Sequence, residues 1–353
     1  MTPLRFGLVG CGVIHGWHAD VLAHMPGEAE LVAVCDIVPE RAQAAADKRG
    51  ALAYTHYKKM LARGDIDAVA IATPSGLHAD MAQMAIKAGK HVIVEKPMDV
   101  SLRKANALVN AARAAGRVLM PISQNRYGKG IRQLHEWLAQ GKLGRLVYGE
   151  ATVKWYRSQE YYDSGDWRGT WALDGGGALA NQGVHYADLL RWTMGPIKNL
   201  SARAATLGHA RVEVEDVVTA SIEFASGALG TLTATTCAFP GFATTLEVYG
   251  TEGSVRTANN ELVEAVFTNG EKYDSASTPA PPTGASDPAA LGIYNHLCQF
   301  RDFVGAVREG RDPWITGEMG RDALEVVVGV YRAARTGKSV AFPLPASTGR
   351  GDQ

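Results

Sequence analysis

The chain has 353 residues, room for two domains of ordinary size, and its 46% hydrophobic and 20% charged residues supply a packed core and exclude wholesale disorder. Lysine and arginine (36) balance aspartate and glutamate (36), so no phosphate-tracking basic face or anionic-membrane surface is indicated, and neither a nucleic-acid nor a membrane partner is expected. No apolar run approaches the roughly 18 residues that span a bilayer. The start, MTPLRFGLVGCG, lacks the basic region and cleavable apolar stretch of a signal peptide. Four separated cysteines (Cys11, Cys35, Cys237, Cys298) read as reduced thiols, so the expectation is a cytoplasmic protein.

Residues 4–9 are an apolar run that passes through glycines into helical spacing over 17–25. A second run, 31–35, ends in Asp36 and precedes a polar helical segment, 39–49. Further short apolar runs at 68–73, 92–94 and 118–122 alternate with Ala- and Met-rich helical segments at 78–88 and 102–115, which Gly89 and Gly116 close. Almost wholly apolar strands alternating with helices predict a doubly wound α/β domain with a parallel sheet covered on both faces, over 1–122. The pattern then changes. A helix over 131–140 precedes period-two strands, as in Val218, Ala220, Ile222 and Phe224, with a tight turn at Ser226-Gly227 and strands at 229–236, 245–249 and 254–257. This predicts a second, α+β domain over 123–345 with a large, mostly antiparallel sheet, an irregular Ser/Pro/Thr/Ala-rich loop at 271–290, and a helical tail from 291 to 335.

The segment Gly10-Cys11-Gly12-Val13-Ile14-His15 follows the first strand and opens a helix. Gly10 permits the tight turn, Gly12 lets a pyrophosphate approach the backbone, and N–H groups at the helix start, at Val13 and Ile14, face the phosphates. His15 stands where a third glycine is usual. Asp36 ends the second strand 24 residues after Gly12 (36 − 12), where a carboxylate binds the adenosine ribose hydroxyls and repels a 2′-phosphate. The expected cofactor is therefore NAD rather than NADP, although Arg41 could tolerate a phosphate.

Four stretches then resemble the glucose–fructose oxidoreductase/inositol dehydrogenase/rhizopine catabolism (Gfo/Idh/MocA) oxidoreductases: GCGVIHGWHAD (10–20), ATPSGLHAD (72–80), VEKPM (94–98) and GGGALANQGVHYADLL (175–190). The tail ITGEMGRDALEVV (315–327) also fits, so the similarity covers nearly the whole chain. The resemblance implies a Rossmann domain followed by a sheet domain, and a homodimer or homotetramer. Within the family, the run from Lys154 to His185 looks most like enzymes that oxidise C3 of UDP-N-acetylglucosaminuronic acid.

Oxidising a secondary alcohol needs a hydride acceptor and a group that removes the hydroxyl proton. Lys96 is the candidate acid/base and substrate contact. It follows a strand at its carboxyl end, where open α/β sheets bind ligands, and a half-buried lysine beside a cationic nicotinamide loses its proton more readily. Glu95 opposes that shift if its carboxylate turns inward; the alternative is a solvated lysine ending a strand. By resemblance the Lys96–Pro97 bond is often cis. His185 is the second candidate, orienting the hydroxyl with a share in proton transfer, or else a satisfied core histidine. On a helix, Asn181 and His185 share one face. The family often has Asp at 181, so His185 is expected to be less basic here than in an Asp-bearing relative. Asp188 is either a substrate ligand or a helix-face charge.

By resemblance Thr73, Pro74, Ser75, His78 and Glu95 line the dinucleotide, Asn125 lies near the nicotinamide and lysine, and Trp167 and Arg168 contact the nicotinamide amide. Tyr156, Arg157, Tyr161 and Tyr162 form either a wall for sugar or phosphate or ordinary sheet packing. Scattered histidines and the absence of a GxSxG turn argue against metal or serine catalysis. The leading function is an NAD-dependent dehydrogenase acting on a pyranose or nucleotide sugar at C3. Alternatives are an inositol or free-sugar dehydrogenase, an NAD-dependent glycoside hydrolase working by transient C3 oxidation, and a non-catalytic NAD sensor.

Overall fold

The computed structural model describes residues 2–275 and 292–348. The chain divides into two compact units: Met1–Gln124 with Ile293–Arg321, and Asn125–Gly292 with Asp322–Gln353.

The first unit begins with β1 (Leu4–Val9), α1 (Val13–Ala23), β2 (Ala29–Cys35), α2 (Pro39–Arg49), β3 (Leu52–Tyr54), α3 (Tyr57–Leu61), β4 (Ala68–Ile71), α4 (His78–Lys87), β5 (His91–Val94), α5 (Leu102–Ala114) and β6 (Leu119–Pro121). All six strands pair in parallel, in the order β3-β2-β1-β4-β5-β6. β4 is buried throughout, which is why its sequence shows no alternation. The strand order reverses between β1 and β4, and in such sheets ligands bind beyond the carboxyl ends of the strands at that switch. Gly10, Thr73 and Lys96 all lie just past carboxyl ends of this sheet.

The second unit contains α6 (Lys129–Ala139), β7 (Leu146–Lys154), α7 (Gln159–Asp163), a π-helical turn (Ala178–Gly183), α8 (Val184–Met194), β8 (Ile197–Ala205), β9 (Val217–Phe224), β10 (Leu229–Thr235), β11 (Thr245–Gly250), β12 (Gly253–Ala258), β13 (Glu261–Phe267) and β14 (Lys272–Asp274). With β15 (Val340–Ala341) these strands form a nine-stranded sheet ordered β14-β13-β12-β11-β7-β10-β9-β8-β15. Every neighbouring pair is antiparallel except β7 with β10. In β9 the apolar positions Val218, Ala220, Ile222 and Phe224 are the buried ones. α8 packs on β7, where Gly149 leaves room for Met194.

Two helices follow, α9 (Tyr294–Glu309) and α10 (Gly317–Thr336). α9 departs from the expected division at residue 122: it belongs to the first unit. The reason is its apolar face, whose Phe300 and Phe303 rings lie 5.9 and 5.8 Å from Phe6 of β1, all three fully buried. The expected loop 271–290 also differs, since its start is the edge strand β14. Residues 276–290 of that loop lie outside the described residues.

Candidate active site

The glycine turn is built as a dinucleotide site requires. Gly10 has φ +90°, and a Cβ there would stand 2.5 Å from the Ala72 carbonyl oxygen, so only glycine fits. Gly12 has the opposite environment: no atom lies within 4 Å of a Cβ built on it. It caps α1, whose first turn has neither a capping side chain nor an acidic residue to take up its N–H groups. Asp36 closes the turn, accepting the N–H groups of Cys11 (2.7 Å) and Val38 (2.9 Å). Thr73, beyond β4, buries a hydroxyl oxygen with no partner, and Ser75 beside it is buried. Open helix start, close backbone, carboxylate at the second strand and a buried hydroxyl awaiting a partner fit NAD. Val13 is 72% exposed at the helix start, so it offers backbone rather than an apolar wall.

His78 is a correction. It is buried, and its ring nitrogens lie 2.7 Å from the carbonyl oxygens of Pro97 (Nδ1) and Thr73 (Nε2). It ties the turn after β4 to the turn after β5 rather than lining the dinucleotide with its ring. Burial lowers its proton affinity, against the pull of both carbonyls.

Lys96 is half-buried, and its bond to Pro97 is cis. Glu95 does turn inward. Its Oε1 lies 2.8 Å from His18 Nε2, and its Oε2 accepts the Lys96 backbone N–H at 3.1 Å. Burial pushes the Glu95 carboxyl up, but the hydrogen bond with His18, helped by the nearby Lys96, outweighs it and lowers the carboxyl. His296, from α9, lies with its ring 6.4 Å from that of His18, and burial pushes it down to about 4. Neither His18 nor His296 was expected: their meeting with Glu95 joins positions far apart in sequence, which motif spacing does not reveal.

In the second unit, Arg157 and Arg168 both address Tyr161, with guanidinium carbons 5.5 and 4.2 Å from its ring centroid. Arg168 also lies 4.6 Å from the Trp167 ring, and Arg157 5.0 Å from that of Trp155, a residue the sequence did not single out. Of the expected wall, Arg157 and Tyr161 thus join Trp167 and Arg168 in one stack. Tyr162 instead enters the core, bonded to Thr236 (2.9 Å) and packed on His209. Tyr156 packs edge-on against Phe239. Asn125, half-buried, opens the second unit, and its carbonyl accepts the Gly128 N–H.

Asn181 lies in the π-helical turn that runs directly into α8, and from 181 to 190 it and His185 are the residues that are not buried. Its amide donates to Asp174 Oδ1 at 2.9 Å. Through the first two turns of α8 every residue is buried except His185. Asp188 is neither of the alternatives considered. It is buried in an ion pair with Arg126 (Nε–Oδ2 2.8 Å, Nη2–Oδ1 2.5 Å), and Arg126 in turn lies 4.7 Å from the Trp192 ring.

Against the expectation of no metal ligands, His209, Asp216 and Cys237 bring donor atoms within 4.8 Å of one another. The carboxylate is already engaged: Asp216 accepts the backbone N–H groups of Leu207, Gly208 and His209 and faces His209 Nδ1 at 2.9 Å. Burial and Asp216 push the Cys237 thiol up to about 11, away from a thiolate ligand. The cluster is a hydrogen-bonded clasp.

The doubly wound sheet with its open glycine turn defines a dinucleotide-dependent oxidoreductase. Residues 4–123 match the profile of the oxidoreductase family with an NAD-binding Rossmann fold, and residues 131–256 that of the Gfo/Idh/MocA C-terminal domain. The chain is 30% identical over 342 residues to a 1,5-anhydro-D-fructose reductase from Ensifer adhaerens, covering 95% of this chain and 97% of that one. It is 34% identical to the WlbA dehydrogenase of Bordetella pertussis, solved with NADH and UDP-GlcNAcA, covering 97% of this chain and 100% of that one at a TM-score of 0.86. A levoglucosan dehydrogenase solved with NADH is 25% identical at the same TM-score, over 97% and 100% of the chains. The chain belongs to the Gfo/Idh/MocA oxidoreductases, and its cofactor is NAD. Among the described residues no helix is long and apolar enough to cross a membrane.

Proposed function

We propose that this oxidoreductase oxidises the C3 hydroxyl of a nucleotide-linked pyranose. Bound NAD supplies the hydride acceptor. Lys96, as the free amine, takes the hydroxyl proton; His185 orients the hydroxyl and shares that transfer; Asn181 and Tyr156 contact the sugar. Asp188, spent on Arg126, has no part. The observation that carries the reading is the pair of guanidinium groups, Arg157 and Arg168, gathered on one tyrosine. Such a pair suits a substrate bearing negative charge, and the 34% identical WlbA enzyme was solved with a sugar of that kind. On the family resemblance Trp167 serves the nicotinamide amide and Asn125 the nicotinamide. A free or anhydro sugar is the second reading, favoured by the 30% identity to an anhydro-fructose reductase.

The test follows nicotinamide absorbance with NAD and, in turn, UDP-N-acetylglucosaminuronic acid, neutral UDP-sugars, inositols and simple glycosides. Turnover on the acidic nucleotide sugar, lost at least 100-fold in Lys96→Ala, is expected. Turnover confined to uncharged sugars would reject the nucleotide-sugar reading, and a cleaved glycoside without net NADH would establish redox-neutral hydrolysis. We further propose that a second copy covers the sheet around the exposed Val147 and Leu229; light scattering that returns the mass of one chain would refute it.

A further inference from the structure

The turn carrying Lys96 is backed by a carboxylate and an imidazole that the proposed chemistry leaves unused. His18 is fully buried and Glu95 nearly so. Glu95 divides its two oxygens, Oε1 toward His18 Nε2 at 2.8 Å and Oε2 toward the backbone N–H of Lys96 at 3.1 Å. The opposite nitrogen of His18, Nδ1, is buried with no hydrogen-bond partner. A ring donating only from Nε2 leaves a lone pair on Nδ1, whereas an imidazolium would bury an orphan N–H, which costs free energy. The hydrogen-bond inventory therefore makes His18 a neutral donor to an ionised Glu95. The charge on the pair is net negative.

The groups facing it support this. From α9, His296 is held neutral by burial, and its Nδ1 is likewise buried without a partner. From α4, His78 faces two backbone carbonyls, and burial lowers its proton affinity against their pull. From α1, His15 is held toward its neutral form by burial. Lys96 is a cation near enough to this carboxylate to favour its ionised form.

We propose that His18 and Glu95 form a positioning dyad that fixes one negative charge directly behind Lys96 and so raises the proton affinity of its amine. This rests on the reading of Lys96 as the proton-handling group. An oxidised nicotinamide is cationic and drives an adjacent ammonium to release its proton; the fixed carboxylate opposes that release and sets where the amine titrates. His18 keeps the carboxylate ionised in a buried place where it would otherwise take up a proton.

The proton affinity of Lys96 can be read without turnover. The full-length protein is acetylated briefly with acetic anhydride across neutral to alkaline pH, and the rate at Lys96 is followed by peptide mass spectrometry. In Glu95→Gln the midpoint is expected to fall by about one pH unit, because an adjacent opposite charge moves a pKa by roughly one to three. The double variant His18→Leu/Glu95→Leu removes the charge without stranding an imidazole and is expected to shift the same way. His18→Gln retains a donor to Glu95 and is expected to keep the original midpoint. Midpoints unchanged in both charge-removing variants would overturn the dyad. Lys96→Ala, assayed for turnover, tests the underlying reading separately: a fully active Lys96→Ala removes the proton-handling role, whatever the acetylation midpoints show.

Discussion

At the scale of single residues, the two glycines of the first turn do different work, and substitution separates them. Gly10 is held by conformation and contact, since alanine at φ +90° is strained and its Cβ would press on the Ala72 backbone 2.5 Å away. Gly12 has φ −79° and open space where a Cβ would go. Gly10→Ala is therefore expected to cost about 1–3 kcal/mol of stability and the bulk of NADH affinity. Gly12→Ala is expected to leave the unfolding midpoint within about 1 °C and weaken NADH at least tenfold, because the methyl occupies the space the pyrophosphate needs. Thermal melts and fluorescence titration with NADH measure both. Wild-type affinity in Gly12→Ala would remove the pyrophosphate from this turn. These glycines were legible in the sequence because turn, strand and helix are adjacent in the chain. Glu95 was legible only as a question, since its direction depends on His18, 77 positions away. Asp188 was misread for the same reason, its partner Arg126 lying 62 positions off.

Among the elements, the π-helical turn before α8 is one that local spacing does not distinguish from the α-helix it leads into. Local spacing gives an unbroken helix through Asn181 and His185, but the turn's start is held from outside. Glu215 accepts the N–H groups of Gly177 and Leu179 at 2.9 Å each and the hydroxyl of Tyr331 at 2.9 Å. Tyr331 Oη accepts the Ala180 N–H. A side chain at Gly177 would overlap the Glu215 carbonyl, which is why glycine precedes the turn. Burial raises the Glu215 carboxyl from 4.5 to about 7. Between those values the folded chain keeps a proton that the unfolded chain has released, so stability falls as pH rises through that window and the loss is complete above about 7. Glu215→Gln cannot titrate. The stability of wild type minus that of Glu215→Gln is thus expected to decline by up to about 3 kcal/mol from below pH 4.5 to above pH 7. Urea unfolding at a series of pH values measures it, and a difference independent of pH would show that Glu215 carries no raised proton affinity. The antiparallel strands, by contrast, were readable, because alternation in β9 depends only on which face of the sheet is buried.

For the whole molecule, the dinucleotide-binding unit is assembled from two stretches, Met1–Gln124 and Ile293–Arg321, and this the sequence concealed. The helical period of the tail shows that α9 has an apolar face but not which sheet receives it. That face brings Phe300 and Phe303 onto Phe6, each fully buried. It also supplies Gln299, whose carboxamide donates to the Pro121 carbonyl (2.8 Å) and accepts the Ser123 N–H (3.2 Å). Without α9, β1 loses the cover on Phe6 and the end of β6 loses two hydrogen bonds in a buried place. Truncating either phenylalanine to alanine costs roughly 3–5 kcal/mol, a large share of a domain's stability of about 5–15. A fragment ending at residue 124 is therefore expected to be unfolded and to bind no NADH. The same fragment joined through a flexible glycine–serine linker to residues 293–321 is expected to recover a cooperative melt and measurable NADH binding. Circular dichroism and NADH titration of the two fragments decide it: a 1–124 fragment that folds alone and binds NADH as the full chain does would mean that α9 is an accessory to this unit and not part of its core.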